Sequence, residues 1–597
     1  MREPLYNQRF GDIYFSPDDG LAETRHVFLE GNSLPQRWKG KACFTIAETG
    51  FGTGLNFLAV WKLFEETAAP DQTLDFISCE MYPLGTSEIK EALEGWEKEL
   101  GGRLARLLAL YPLRVPGFHK VRINHRITLT LIFDDVNEAL PRLAVPRGVD
   151  CWFLDGFAPS KNPQMWTETL YAQMARLSAP EASVSSFTVA GHVRRGLADA
   201  GFSVMKIKGF GRKNEMLSAR YGSNIVQNII KNDPKRIAVI GGGMAGTACA
   251  YVLGQHGMKV TIFEKESHLA AGASGNETGL FNPRFSAYRT PESDFYTAAY
   301  AQLIRTLKEL GNTGFRQCGT LHLVSSTEKE KQLRDVEKHW GWHADHMQYF
   351  SAAQASAQAG IPVGYEALFL PDSGCVCPYD LCHAYAAGAD VRLNSPVETL
   401  GEGRIYGEKF DAVILATAAA VKNFGEVAWL PVSTVRGQVS CVTETVLSAQ
   451  LQSNICSGVF ISAPYNGKHS VGATFQKWLA DIDVKEEDHR ENMNNLAGLF
   501  PEFAAGMEVL EGKAGLRAAS RDHFPMVGQA CLENGTLIPD VYLSVAYGSH
   551  GIISSLAGAH LLTDLLLDRP SSLSMTTREK LSPVRFPERE RRKIQYG

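Results

Sequence analysis

RIAVIGGGMAGTACAYVLGQHGMKVTIFEKE, Arg236 to Glu266, decides the fold of the larger part of the chain. Ile237 to Ile240 is a short apolar run with the pattern of a strand buried on both faces. It leads into Gly241, Gly243 and Gly246 in G-x-G-x-x-G register, and a helix with apolar spacing then extends to about Gly254. A second strand, Lys259 to Phe263, ends at Glu264, eighteen residues beyond Gly246. Each part of that order has a physical reason. Glycines let the backbone turn tightly and approach a bound group. The start of the helix leaves free N–H groups for a pyrophosphate, and a carboxylate ending the second strand reaches ribose hydroxyls. The stretch predicts a doubly wound α/β unit that binds a dinucleotide.

Further along, GASGN at Gly272 to Asn276 sets Gly272, Ser274 and Gly275 shortly after the ribose carboxylate, which favours a flavin over a nicotinamide. DAVILATAA, Asp411 to Ala419, reads as the strand that closes the nucleotide-binding sheet. GLRAASRDHFPMVG and AYGSHGIISSLAGAHLL follow, and the second places Gly548, Ser549 and Gly551 at a helix start, where N–H groups stabilise negative charge on a reduced flavin ring. Together these segments resemble the D-amino-acid oxidase, glycine oxidase and sarcosine oxidase superfamily. The resemblance implies FAD, bound noncovalently because no His or Cys stands out as an attachment point. It also implies a carboxylate-binding guanidinium at Arg517 in GLRAAS, suited to bidentate capture. Arg436 in VRGQ and Arg521 in SRDHFP are expected to line the flavin pocket. For all three arginines a structural ion pair is the alternative.

A second glycine turn lies about 190 residues upstream in KACFTIAETGFGTGLNFL, Lys41 to Leu58. Cys43 to Ala47 reads as a buried strand, Gly50, Gly52 and Gly54 as the turn, and Leu55 to Phe64 as a helix. This resembles the first motif of S-adenosylmethionine-dependent methyltransferases. Such a site needs close backbone approach and acidic groups that accept bonds from ribose hydroxyls or from the amino-acid ammonium. Glu48 and Glu80, the latter ending the strand LDFISCE, fit those positions, and Asp135, after LTLIF, is expected near the adenine. In VDCWFLDGFAPSKNPQMW, Asp155 stands at the C-terminal edge of a strand, where open α/β sheets bind ligands. Amino methyltransferases often carry Asp or Asn followed by two prolines and an aromatic residue there. DGFAP departs from that pattern, so Asp155 is either a catalytic carboxylate or the cap of a turn.

Composition excludes other classes. With 44% hydrophobic and 21% charged residues the chain has enough apolar side chain for several cores, which rules out a disordered polymer. The most apolar C-terminal stretch, Gly551 to Leu567, is interrupted by His560 and Asp564, so no membrane span is expected. MREPLYNQRFGDIYFS has polar groups where a signal peptide places its apolar core. Scattered cysteines fit reduced thiols, and the expected location is the cytoplasm. Cys375, Cys377, Cys382 and His383 are too cramped for the usual zinc pattern of two separated ligand pairs, and no metal is expected. Net charge is −5, so any polyanion would have to meet local basic stretches. Two are present: Arg194, Arg195, Lys206, Lys208, Arg212, Lys213 and Arg220, and a tail with Arg585, Arg589, Arg591, Arg592 and Lys593. A solvated surface is the alternative for each.

The expected architecture is α/β: an N-terminal Rossmann-like class I methyltransferase domain over 1–230, then a two-part FAD-dependent oxidoreductase over 235–597. The latter combines a Rossmann FAD-binding subdomain with a mixed-sheet substrate subdomain. The boundary is placed at the polar run Lys231 to Lys235 in SNIVQNIIKNDPKR. With GDIYFSPDDGLAETRHVFLEGNSLP, GFGRKNEML, VRGQVS and RDHFPMVG added to the motifs above, nearly the whole chain resembles the bifunctional proteins of tRNA 5-methylaminomethyl-2-thiouridine biosynthesis. That resemblance implies tRNA as partner, acted on at the wobble uridine. FAD-dependent removal of the carboxymethyl group from 5-carboxymethylaminomethyl-(2-thio)uridine would precede S-adenosylmethionine-dependent methylation of the amine released. A monomer is the default expectation. The rival readings are a glycine or sarcosine oxidase fused to an unrelated methyltransferase, and a tRNA-binding module with a vestigial methyltransferase turn.

Overall fold

The computed structural model describes residues 5–16, 19–211, 213–222, 235–400, 403–477 and 479–596, without the side chains of 594–596. The chain forms two compact units, one comprising Met1–Asn232 with Leu567–Met575, the other Asp233–Leu566 with Thr576–Gly597. Residues 231–234, within the run read as the boundary, lie outside the described residues. In one respect the division corrects the sequence reading, which kept all of 235–597 together: Leu567–Met575 belongs with the first unit. Its anchor is a buried bidentate ion pair, Arg569 Nε and Nη2 donating to the two Asp75 carboxylate oxygens at 3.0 and 2.7 Å. Backbone bonds surround it: Lys120 Nζ reaches the Pro570 carbonyl at 3.0 Å, and the Ser571 N–H reaches that of Ala144 at 3.0 Å.

The first unit is built on an eight-stranded sheet in the order Gly117–Arg122, Ile127–Phe133, Thr73–Cys79, Cys43–Glu48, Val149–Phe153, Ser178–Ser186, Glu215–Tyr221, Phe202–Lys208. The five strands from Ile127–Phe133 to Ser178–Ser186 are parallel, and the flanking ones antiparallel. Ile127–Phe133 and Val149–Phe153 are buried along their whole length, because helices and their aromatic side chains cover both faces. Strand order reverses direction at Cys43–Glu48, between Thr73–Cys79 and Val149–Phe153, and such switch points open a crevice at the C-terminal strand ends.

The second unit contains two large sheets. One has six strands in the order Asp390–Arg392, Lys259–Phe263, Arg236–Ile240, Ala412–Leu415, Leu537–Val545, Met526–Cys531, parallel except for the last. The strand, helix and strand read from the sequence occupy Arg236–Ile240, Met244–Gln255 and Lys259–Phe263. The other sheet has nine strands and is mixed, its longest pair being Val432–Thr443 antiparallel to Val509–Ser520. The expected α/β class, with a mixed-sheet second part, is the one observed. No helix among the described residues is long and apolar enough to cross a membrane.

Candidate active sites

In the first unit the loops that follow Cys43–Glu48, Thr73–Cys79, Ile127–Phe133 and Val149–Phe153 enclose a cavity of about 870 Å³. Gly50, Gly52, Glu80, Asp135 and Asp155 are on its wall. Gly54 stands behind it as the cap of the helix Leu55–Thr67, with φ of 79°, and a Cβ there would come within 2.7 Å of the Phe51 ring. Only glycine fits both that backbone and that space. Glu80 accepts from the Gly52 N–H at 2.8 Å and the Tyr82 N–H at 2.9 Å, which ties the second strand end to the glycine turn. Burial raises its pKa. Asp135 caps the helix Val136–Arg142 by accepting from the Asn137 N–H at 2.8 Å.

Glu48 corrects the sequence reading. It is not on the cavity wall but beneath it, 1% exposed, accepting from Asn56 Nδ2 at 2.9 Å and Ser78 Oγ at 2.7 Å. The last residue of a strand points to one face only, and here that face is the core. Burial first, and the nearby Asp155 charge second, hold its carboxyl well above the usual range.

Asp155 caps its turn and stands on the cavity wall. One oxygen caps its own turn, accepting from the Gly156 N–H at 2.8 Å, and the other accepts from Asn56 Nδ2 at 2.7 Å. Burial pushes its pKa up to about 7, against the opposing pull of these two donors. A carboxyl with that proton affinity exchanges protons readily near neutrality.

The far wall is aromatic and was not legible in the motifs. A short hairpin, Tyr6–Asn7 with Asp12–Ile13, brings Phe10 and Tyr14 against Phe157, with ring centroids 4.8 and 5.2 Å apart. Asp12 pins the hairpin to the loop after Asp155, accepting from the Ala158 N–H at 3.0 Å and pairing with Lys161 at 3.0 Å. Planar faces of this kind stack on nucleobases. Lys213 also lines the cavity, 4.6 Å from the Phe187 ring centre and 3.4 Å from Glu23. Arg212 lies outside the described residues, and Lys206 pairs with Glu215 at 2.8 Å on the sheet's edge.

In the second unit the glycine turn is packed as a dinucleotide cradle requires. Gly241 has φ of 109°, and a Cβ there would lie 2.6 Å from the Ala416 carbonyl; one on Gly246 would strike the Gly241 carbonyl. Glu264 accepts from the Gly242 N–H at 2.6 Å, and Ser274 Oγ accepts from the Met244 N–H at 3.1 Å, next to Gly243. Gly275 bonds back to Gly272, and Gly272 itself is uncrowded. Thr417 Oγ1, beside Gly241, is buried with no partner among the described residues, as expected of a group that faces a bound ligand. At the other end, Gly548 opens the turn Gly548–His550 and Gly551 starts the helix Gly551–Leu566.

Arg517 lies on the strand Val509–Ser520, which touches both of these regions. Two residues before it, Gly515 abuts Ala273; two residues after it, Ala519 bridges to Tyr547. Among the described residues no carboxylate or carbonyl pairs its guanidinium, and burial lowers its pKa. His550, which sequence reasoning passed over, stands at the start of the same helix with its ring 5.1 Å from that of Tyr296. Burial first, then the Arg284 charge, lower its pKa to about 4, so the imidazole is neutral at physiological pH.

Two expected pocket arginines are elsewhere. Arg436 is fully buried and its donors are consumed by Asp488, Gln476 Oε1, Gln438 Oε1 and the carbonyls of Asp481 and Asp483. It stitches the long strand to the helix Glu486–Leu499. Arg521 is more than half exposed and pairs with Glu590 at 2.9 Å, a surface contact. In the C-terminal basic stretch Arg585 is buried and, with Arg589, committed to Asp522. The compact cysteine cluster does not converge: Cys375 Sγ donates to Asn454 Oδ1, and the exposed His383 ring bonds the Tyr379 carbonyl.

A family model described as FAD dependent oxidoreductase matches residues 236–565, and one described as S-adenosyl-L-methionine-dependent methyltransferase matches residues 98–222. The chain is 35% identical to the tRNA 5-methylaminomethyl-2-thiouridine biosynthesis bifunctional protein MnmC of Nitrosospira multiformis, over 97% of each chain. It is 36% identical to the protein of the same name from Pseudomonas aeruginosa, over 98% of this chain and 96% of that one. Among solved structures, glycine oxidase from Geobacillus kaustophilus superposes with a TM-score of 0.50 at 22% identity, covering 58% of this chain and 98% of that one. L-proline dehydrogenase from P. horikoshii does so with a TM-score of 0.51 at 18% identity, covering 60% and 99%. Both structural likenesses are of fold.

Proposed function

From the premise that this chain belongs to the family of tRNA 5-methylaminomethyl-2-thiouridine biosynthesis bifunctional proteins, we propose how its two sites divide two successive reactions on one uridine. The cofactors are FAD and S-adenosylmethionine. The substrate is the wobble uridine of a tRNA that carries a 5-carboxymethylaminomethyl group, and the reactions take place in the cytoplasm on a monomeric enzyme.

The observation that carries the reading is Arg517. A half-buried guanidinium that no carboxylate among the described residues neutralises is free to pair with a ligand carboxylate, and a carboxymethylamino group is an N-substituted glycine that presents one. Arg517 binds this carboxylate and so directs the adjacent α-carbon toward the flavin site. When bound, FAD supplies the two-electron oxidation of that carbon–nitrogen bond. The secondary ammonium loses its proton to solvent beforehand. Water then splits the resulting imine into the 5-aminomethyl group and glyoxylate.

In the first unit S-adenosylmethionine supplies the methyl group. Glu80 and Asp135 accept from its ribose and adenosine end, Gly50 and Gly52 leave room for close backbone approach while Gly54 lets the turn close over Phe51, and the aromatic wall of Phe10, Tyr14 and Phe157 offers a face on which the uracil stacks. Asp155 orients the primary amine and takes its proton, while most of the rate comes from in-line placement. Lys213 at the cavity rim meets tRNA phosphate. In the second unit Gly241, Gly243, Gly246, Glu264, Gly272, Ser274 and Gly275 hold the adenosine diphosphate half of FAD, and Gly548 and Gly551 face its ring.

The test is nucleoside mass spectrometry on tRNA bearing the carboxymethylaminomethyl group. Without S-adenosylmethionine the aminomethyl nucleoside accumulates, and with it the methylaminomethyl form appears. Turnover of free glycine or sarcosine with the tRNA left unchanged would favour the small-molecule reading.

A further inference from the structure

Asn56 is the second residue of the helix Leu55–Thr67, 8% exposed and on the wall of the first unit's cavity. Its amide is fully engaged. Nδ2 donates to Glu48 Oε1 at 2.9 Å and to Asp155 Oδ2 at 2.7 Å, and Oδ1 accepts from Thr24 Oγ1 at 2.7 Å. Two carboxylates leave the NH2 group no alternative orientation, and the Thr24 hydroxyl supplies the one donor that the carbonyl oxygen needs. The contacts beyond are equally directional. Ser78 Oγ donates to the other Glu48 oxygen at 2.7 Å, the Gly156 N–H to the other Asp155 oxygen at 2.8 Å, and Thr49 Oγ1 to the Asp155 carbonyl at 2.6 Å.

We propose that Asn56 is a positioning residue for methyl transfer: its amide holds the Asp155 carboxylate in the orientation that accepts a proton from the attacking amine, and Thr24 keeps the amide from turning. This role rests on the reading of the first unit as an amine methyltransferase. In that step the new N–C bond forms as the C–S bond breaks, the electron pair leaves with sulfur, and the proton shed by nitrogen passes to Asp155. A carboxylate can accept it only if it is ionised beforehand. Burial opposes its charge, the Gly156 N–H and Asn56 favour it, and of the charged groups Glu23 opposes it and Lys213 favours it, while Glu48 beneath is held protonated by burial and by Asp155 itself. Asn56 is the neutral group between the two carboxylates that faces them with a hydrogen each. Without it, Asp155 loses one of the two donors that hold its proton affinity down against burial, and it takes up a proton at higher pH.

The experiment measures single-turnover methylation of aminomethyl-tRNA against pH at saturating S-adenosylmethionine, for the full-length wild type, Asn56→Ala, Thr24→Val and Thr24→Ser. Calorimetric binding of S-adenosylhomocysteine and the flavin half-reaction are followed in parallel. In Asn56→Ala the acid limb moves up by about one pH unit, a loss of roughly fivefold at pH 7 that approaches tenfold below about pH 6 and that alkaline buffer restores. Thr24→Val moves it in the same direction and by less. Thr24→Ser, which keeps the hydroxyl, leaves it in place. S-adenosylhomocysteine affinity stays within about threefold, and the flavin half-reaction reports that the variants fold. An acid limb unmoved in both Asn56→Ala and Thr24→Val overturns the proposal, as does a loss explained wholly by weaker S-adenosylhomocysteine binding. Failure of the wild type to methylate would instead strike the reading on which the role rests, and the role with it.

Discussion

The guanidinium of Arg517 lies directly over Gly437: a Cβ built on that glycine would come within 2.5 Å of Nη2 and 2.6 Å of Cζ. In the antiparallel pair Val432–Thr443 with Val509–Ser520, Arg517 is opposite Val435 and Gly437 opposite Gly515, so the guanidinium reaches diagonally over the glycine. Glycine at 437 therefore sets where the charged end of Arg517 rests.

Gly437→Ala pushes that flexible end aside and also meets the Thr474 carbonyl at 2.7 Å, so the strand shifts locally while the dinucleotide cradle, built on other residues, keeps its contacts. Hydrogen bonds to a charged group contribute about 1.5–3 kcal/mol, so kcat/KM for the carboxymethylaminomethyl substrate falls by roughly 10- to 100-fold. The variant still purifies with yellow flavin. Loss of flavin together with activity would show that the glycine serves the fold instead.

Methylation depends on pH through Asp155. Its carboxyl is raised from 3.8 to about 7, so the proton-accepting form is depleted as pH drops through 7 and the rate falls with it. The same shift costs folding stability, a cost complete above the folded value and absent below the unfolded one. Asp155→Asn therefore loses the acid limb of the rate profile and gains on the wild type in stability between about pH 4 and pH 8. A wild-type rate flat between about pH 6 and pH 8 would remove Asp155 from this role.

Breaking the buried pair between Arg569 and Asp75 leaves one uncompensated charge. Arg569→Met lowers the unfolding free energy of the first unit by about 3–5 kcal/mol, and adding Asp75→Leu recovers much of it. Chemical denaturation followed by a first-unit tryptophan signal measures both. Equal stability of the single variant and the wild type would show that the segment Leu567–Met575 contributes little to that unit.

Asp522 behaves in the opposite sense to Asp155. Despite the cost of burial, Arg585 and Arg589 hold its carboxyl below the ordinary value of 3.8. Its stabilising contribution is present above that value and declines as pH falls further. Urea midpoints should separate wild type from Asp522→Asn near neutrality and converge in acid. A separation that persists unchanged below about pH 2 would contradict this.

How much of this was legible beforehand follows from distance along the chain. The two glycine turns are local: strand, turn and helix lie within about thirty residues, and some of their glycines are set by contacts inside the motif, Gly54 against Phe51 and Gly246 against the Gly241 carbonyl. Asp155 was legible because strand ends at a switch point are where ligands bind. The misread residues have partners that no motif announces, most of them far away in sequence. Arg436 was read as a pocket residue because nothing near it announces Asp481, Asp483 and Asp488, 45 to 52 residues on. Glu48 faces the core because Ser78 and Asn56 receive it there. Arg569 meets Asp75 across 494 residues, a pairing no local pattern encodes. Asn56 stood within the quoted motif, one residue past Leu55, and a polar side chain at the start of an otherwise apolar helix was the available signal.

The central claim is that two separate sites act in sequence on one nucleoside. The most direct test is nucleoside mass spectrometry of carboxymethylaminomethyl-tRNA incubated with S-adenosylmethionine and either Asp155→Asn or Arg517→Met. The account predicts that Asp155→Asn stops at the aminomethyl nucleoside, that Arg517→Met leaves the starting nucleoside unconverted, and that mixing the two variants restores the methylated product. Identical product patterns from the two variants, or methylated nucleoside formed by Asp155→Asn alone at the wild-type rate, would contradict it.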